Sequence, residues 1–173
     1  MKLTSLIAVA AFATGAFAQE QPRLGLQLGL GVFYPNSAYV RSTFGDSWTR
    51  ISIAPGTMGA YKGSGLDWDI NAISVGRNGN RLFIISPSVG FYKTFGNSPS
   101  NVPYFAARLG GAYVDYRVGL GDDKYFTTSA NAEIGTTINN RINLNVRYDF
   151  FPKRNGLDFS GLSLNARFVL VNF

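Results

Sequence analysis

From Arg141 to Phe151 the chain reads RINLNVRYDFF, in which Ile142, Leu144, Val146, Tyr148 and Phe150 alternate with Asn143, Asn145, Arg147 and Asp149. A period of two with one wholly apolar face predicts a β-strand lying between an apolar medium and a polar one. The same alternation marks eight candidate strands. The first, Leu24 to Tyr34, sends Leu24, Leu26, Leu28, Leu30 and Val32 one way and Gly25, Gln27, Gly29 and Gly31 the other. The second, about Trp48 to Ala54, sets Ile51 and Ile53 against Arg50 and Ser52. The third, Leu66 to Val75, sets Leu66, Trp68, Ile70 and Ala72 against Asp67, Asp69 and Asn71, and Gly76-Arg77-Asn78-Gly79 then turns the chain.

The fourth strand, Leu82 to Phe95, shows Phe83, Ile85, Val89 and Phe91, but Pro87 removes a ladder donor and predicts a bulge or distortion. The fifth, Pro103 to Tyr116, has Phe105, Ala107, Leu109 and Tyr113 against Arg108 and Gly110. The sixth, Tyr125 to Ile138, has Ala130, Ala132, Ile134 and Ile138 against Asn131 and Glu133 and carries the weakest apolar face. The opening segment is the seventh, and the eighth, Leu162 to Phe173, sets Leu162, Leu164, Ala166, Phe168 and Leu170 against Ser163, Asn165 and Arg167. Glycine on the polar face lets a narrow barrel close.

If the polar faces line that barrel, its interior holds Arg50, Arg108, Arg147 and Arg167 with Asp67, Asp69, Glu133 and Asp149, four charges of each sign and no Lys. A planar guanidinium holds carboxylates bidentately where water is scarce, which favours Arg for such a place. Some of the set belongs at wet rims; Glu133, Arg108 and Arg147 are the firmest interior members. Register sharpens the prediction. Ile138 and Ile142 share the apolar face, which requires a three-residue loop, Asn139 to Arg141, and sets Glu133 opposite Arg147. A salt bridge between those two is expected, joined by Arg108 or Arg167.

The first segment, MKLTSLIAVAAFATGAFA, has one Lys, an uncharged run from Leu3 to Ala18, and small residues flanking Phe17. This is the pattern of an export signal over residues 1–18, leaving a single domain over 19–173. A membrane-anchor helix needs about 20 apolar residues, more than this run supplies. Loss of Lys2 leaves 15 basic and 10 acidic residues, a net charge of +5. No later stretch is long enough for a membrane helix, so strands are the remaining way for the mature chain to span a bilayer. Cysteine is absent, although disulfides form in exported proteins; a closed barrel needs no such staple. Twenty Gly, 14% aromatic and 15% charged residues suit a tightly curved sheet, and a mean hydropathy near zero is what alternating faces average to.

With the N-terminus on the periplasmic side, Tyr34, Tyr113, Tyr148 and Phe150 fall at the outer end and Trp68, Phe91, Phe105 and Phe168 at the periplasmic end, as two interfacial girdles. The shortest connection, Asn139 to Arg141, is then periplasmic, while Pro35 to Ser47 and Pro152 to Gly161 are outer loops. In the first of these, Ser37 to Phe44 followed by Gly45 predicts one or two helical turns capped by Asn36.

These residues resemble the small eight-stranded outer-membrane barrels of the OmpA/OmpX type, the outer membrane protein β-barrel domain. The likeness rests on the leader, the eight alternating segments, the Arg/acid interior and Phe173, taken as an assembly signal. Phe173, Val171 and Val169 follow the terminal-strand alternation before Arg167 departs from it, and Val171 stands where an aromatic is usual. The fold expected is all-β: an eight-stranded antiparallel up-and-down transmembrane β-barrel with a polar, charge-paired interior. The resemblance implies a bacterial outer-membrane location and insertion by the barrel-assembly machinery. It further implies a monomer with a role in envelope integrity or surface interaction, its interior closed or a very narrow pore.

Enzymatic function is not expected. Outer-membrane lipid A acylases and deacylases rely on His, and this chain has none. A carboxylate pair can be drawn from Asp67 and Asp69, or from Asp122-Asp123 in a loop, but ion pairing and a solvated turn explain these better. Without Cys or His only oxygen-ligated metals remain, and GLGDD matches no full calcium loop; no metal or cofactor is expected. GLQLGLG and GRNGN lack the strand-turn-helix context of a phosphate cradle. Arg41, Arg77, Arg81, Lys153 and Arg154 are candidates for lipopolysaccharide phosphates, though such residues more often keep a rim solvated. Nucleic acid is not an expected partner of an exported barrel. The competing architecture is a secreted, lipocalin-like barrel with inverted faces, its apolar stripe lining a ligand cavity.

Overall fold

The computed structural model describes residues 25–55, 63–95, 98 and 100–172; the leader 1–18, Leu24 and Phe173 lie outside the described residues. The elements are β1 (Gly25–Pro35), α1 (Ala38–Phe44), β2 (Trp48–Pro55), β3 (Ser64–Arg77), β4 (Asn80–Thr94), β5 (Asn101–Val118), β6 (Gly121–Ile138), β7 (Ile142–Phe150) and β8 (Gly161–Asn172). Each strand pairs antiparallel with the next and β8 returns to β1, closing an eight-stranded up-and-down barrel. Alternation decides the faces. Leu30, Ile51, Phe91, Leu109, Ile134, Leu144 and Leu164 are exposed on the outside, while Ser52, Asn71, Asn143, Ser163 and Arg167 are buried inside.

The Asn139–Arg141 loop takes the register that shared faces require, with Ile138 opposite Ile142 and Glu133 opposite Arg147. Asn139 and Asn140 both have positive φ, 50° and 54°, which Asn tolerates because its short amide bonds locally. Pro87 makes no bulge. Ile85 opposite Tyr113 and Ser88 opposite Gly110 keep one register, and only Ser86 and Pro87 drop out of the β4–β5 pairing. Gly110 explains the tolerance: a Cβ there would lie 2.0 Å from the Pro87 carbonyl oxygen, so β5 can approach the distorted stretch only without a side chain. A register shift instead falls near the end of β8, where Leu26 and Gln27 face Val171 and Val169 and Leu170 is extra. That β-bulge sets Val171 opposite Leu26 of the apolar stripe, which is why the alternation read back from the C-terminal end breaks before Arg167.

The connections differ from the expected asymmetry. Two-residue turns at Asn78-Gly79 and Gly119-Leu120 are the shortest, and both lie at the same end as α1 and the long 151–160 connection. Chain length at that end is carried by strands instead of loops, since β5 and β6 run 18 residues each. Asp122 and Asp123 therefore stand in β6 and not in a loop. The helical segment forms, but Ser37 caps it, its Oγ accepting from the Val40 N–H at 3.4 Å, while Asn36 donates to the Tyr148 hydroxyl at 2.9 Å. Ser37 lies one residue before the helix, the position from which a side-chain oxygen reaches the first-turn amides.

A closed ladder leaves the barrel wall without an edge for detergent to open. Unboiled protein is therefore expected to migrate apart from boiled protein in SDS gels. Identical migration after verified refolding in micelles would count against closure.

Candidate functional site

The eight charged residues Arg50, Asp67, Asp69, Arg108, Glu133, Arg147, Asp149 and Arg167 all lie inside the barrel, each side chain buried. They form one connected lattice. Arg167 holds Glu133 bidentately, Nη1 donating to Oε1 at 2.8 Å and Nη2 to Oε2 at 2.7 Å. The same carboxylate accepts from Arg108 Nη1 at 3.2 Å and from the Tyr104 hydroxyl at 2.5 Å. Arg108 Nε donates to Asp67 at 2.5 Å, and Arg147 Nε to Asp149 at 2.7 Å. Asp69 accepts from Arg147 and Ser88 and lies 3.5 Å from Arg108 and 3.7 Å from Arg167. Arg50 reaches Asp149, Ser163 Oγ at 2.7 Å and Asn71 Oδ1 at 2.5 Å.

The register set Glu133 opposite Arg147, yet their ion pair is a long one, 3.7 Å, and each has nearer partners. Arg147 turns to Asp69 and Asp149, and Glu133 to Arg167 and Arg108. The reason is the narrow bore. Side chains from opposite walls approach one another as closely as strand neighbours do, so an eight-stranded wall brings Asp69 of β3 onto Arg147 of β7. Four positive and four negative groups balance, as buried charge requires. Every carboxylate of the set, Asp67 and Asp69 included, is held by at least one guanidinium. The arrangement ties opposite walls of the bore together, and Asp67 keeps one buried oxygen, Oδ1, without a hydrogen-bond partner.

Above this lattice, at the α1 end, lies an apolar layer that the alternation did not disclose. Phe33, Trp48, Ile73, Leu82, Ile84, Val114, Tyr116 and Tyr125 point inward from the strands. Val40 and Phe44 of α1 and Phe151, Leu157 and Phe159 of the 151–160 connection complete it. Phe33 stacks on Trp48 at 5.3 Å, and Phe159 meets Phe44 at 6.2 Å and Tyr116 at 5.7 Å. Trp48 Nε1 donates to the Gly45 carbonyl at 2.9 Å, which ties the helix end to β2. The sequence signal for this layer is that both phases become apolar together: Val32-Phe33-Tyr34, Leu82 to Ile85, Ala112 to Val114.

On the outside, Tyr34, Tyr113, Tyr148 and Phe150 stand toward the α1 end, with Tyr113 against Phe126 at 5.1 Å. Trp68, Phe91, Phe105 and Phe168 stand toward the opposite end, opposite Val89, Leu66, Ile134 and Ile142 respectively. The basic residues of the α1 end are partly engaged. Arg41 donates to the Pro35 and Asn36 carbonyls at 2.8 and 2.6 Å, Arg81 lies 3.8 Å from Asp115, and Arg154 lies 3.5 Å from Asp123 and 4.2 Å over the Tyr125 ring.

No protein-family model matches the chain, and no curated protein matches its sequence. Solved structures do resemble it. The Neisserial surface protein A (NspA) shares 16% identity over 84% of this chain and 96% of its own, with a TM-score of 0.56. The N-terminal β-barrel domain of Pseudomonas aeruginosa OprF shares 12% over 86% and 98%, with a TM-score of 0.53. PagL, described as an outer membrane enzyme, shares 15% over 82% and 98%, with a TM-score of 0.57. At these identities the likeness is one of fold: the chain has the architecture of the small eight-stranded outer-membrane β-barrels.

Proposed function

We propose that this protein is a bacterial outer-membrane barrel closed to ions, serving envelope integrity or surface interaction, with the α1 end outermost. The observation that carries this reading is the division of the barrel itself. Its outside is apolar between two aromatic bands, and its inside is filled first by a balanced charge lattice and then by aromatic side chains. An apolar exterior of this kind is stable in lipid and not in water. The lipocalin-like alternative is not favoured, since it needs an apolar cavity where this barrel holds four arginines and four carboxylates. Catalysis finds no support in the lattice, whose carboxylates are all bound by guanidinium groups. Export by a cleaved leader, insertion by the barrel-assembly machinery, a monomeric state and contact of the exposed basic residues with lipopolysaccharide phosphates belong to the same proposal.

Planar bilayers test it. Purified, heat-modifiable protein is expected to give no stepwise conductance, because an ion would have to pass both the aromatic layer and the interlocked side chains. Reproducible single-channel steps from folded protein would overturn the closed reading. A protein that stays monomeric and folded in plain buffer would overturn the membrane reading as well.

A further inference from the structure

The apolar outer wall is not evenly filled. One register row crosses five strands, from Pro103 of β5 through Thr136 of β6, Leu144 of β7 and Ala166 of β8 to Leu30 of β1, each opposite the next. Thr136 and Ala166 are small, and Leu144 stands between them. The next row toward α1 carries Ile134, Val146 and Leu164, all exposed. Large side chains beside small ones leave an open groove of about 690 Å³ along the first row, within the range of small-molecule sites. The groove slants. It starts at the third residue of β5 and ends at the sixth of β1, so it climbs from the end of the barrel opposite α1 into the wall. With about 4.8 Å between neighbouring strands, its five strands span roughly 19 Å.

The foot of the groove is polar and basic. Thr136 Oγ1 donates to Asn101 Oδ1, and the Asn101 Nδ2 group has no acceptor among the described residues. The Asn139 N–H donates to the Ser100 carbonyl at 2.8 Å, which draws the Asn139–Arg141 loop against the start of β5. Asn139, Asn140 and Arg141 are exposed, and among the described residues Arg141 meets no carboxylate. Charge is divided between the two ends of the barrel. Every described carboxylate outside the lattice, Asp46, Asp115, Asp122, Asp123 and Asp158, stands toward the α1 end, while the groove's end carries Lys93 and Arg141.

We propose that the groove and its foot bind one anionic phospholipid of the leaflet opposite α1. An acyl chain lies over Thr136 and Ala166, and the phosphate is received by Arg141 with the amides of Asn101, Asn139 and Asn140. A guanidinium among neutral donors suits a phosphodiester. A headgroup bearing an ammonium finds no carboxylate there, which sets phosphatidylglycerol above phosphatidylethanolamine. This goes beyond the closed-barrel role and rests on the reading that the apolar wall meets lipid.

Native mass spectrometry of the folded protein tests it, with the barrel released from micelles holding equal amounts of phosphatidylglycerol and phosphatidylethanolamine. One retained lipid per barrel is expected, phosphatidylglycerol predominating. Arg141→Gln should lower the retained fraction about fivefold, the worth of one basic residue at a lipid surface. Ala166→Leu fills the groove and should lower it as far; Thr136→Leu fills it from another strand, should Ala166→Leu fail to fold. Lys124→Gln, at the α1 end, should change nothing. Equal retention of the two lipids, retention indifferent to Arg141→Gln or to a filled groove, or an equal loss with Lys124→Gln overturns the site. So does a paired barrel that Ala166→Leu separates, since a second copy would then be the occupant. Failure of the membrane reading is distinguishable, because the protein would then stay folded and monomeric in plain buffer.

Discussion

Glu133→Gln is expected to destabilise the folded barrel by about 3 to 5 kcal/mol, the cost of removing one partner from a buried ion pair. The carboxylate is the hub of the lattice, accepting from Arg167 twice, from Arg108 and from Tyr104. Glutamine keeps the shape but offers one oxygen and no charge, so Arg167 and Arg108 lose compensation in a place water reaches poorly. Urea unfolding in lipid vesicles measures the effect. A companion variant decides what it means: adding Arg167→Met to Glu133→Gln should recover part of the loss, since the unpaired charge leaves with its partner. A single-variant cost under about 1 kcal/mol would show that water, and not protein, solvates these groups.

Leu144→Arg is expected to cost about 2 to 4 kcal/mol in a bilayer, falling toward the small values of ordinary surface changes when the substitution is moved to Leu120, fully exposed in the Gly119-Leu120 turn. Leu144 points outward between Ile142, which faces Phe168 of the lower aromatic band, and Val146; it is 44% exposed, with Ala166 and Thr136 opposite it on the neighbouring strands. An arginine there must carry its guanidinium to an interface along a wall of apolar side chains. Equal stability of the Leu144 and Leu120 variants in vesicles would mean that this face does not meet lipid.

Much of this architecture was legible because the two faces of each strand meet different media. Ile142 to Phe150 could be assigned inside and out from the period alone, and the even index sum of opposed residues fixed the Asn139–Arg141 register. What period two cannot carry is distance across the bore. Asp69 meets Arg147 four strands away, and nothing in either strand's pattern points at the other. Layers along the bore were hidden for a different reason. Where Phe33 and Trp48 turn inward while their neighbours stay apolar outside, the contrast that identifies a face disappears. Strand ends failed where charge mimics a loop: Asp122 to Lys124 look like a solvated turn, yet the two-residue turn is Gly119-Leu120 and those charges ride on the strand. At Pro87 the missing donor does interrupt the ladder, as expected of a distortion, and Gly110, packed on the Pro87 carbonyl, lets the register continue without a bulge.

The lattice draws its charges from β2, β3, β5, β6, β7 and β8 and none from β1 or β4. The first four strands bring Arg50, Asp67 and Asp69, a surplus of one negative charge, and the last four bring Arg108, Glu133, Arg147, Asp149 and Arg167, a surplus of one positive. Neither half neutralises itself, and Arg50 finds Asp149 only when the two halves face each other. A half-built curved sheet in lipid would expose uncompensated ions at the same moment as open strand edges, and both penalties vanish in the single event that joins β1 to β8. On the membrane reading, insertion of this chain is therefore expected to be all-or-none, with partial barrels too unfavourable to accumulate.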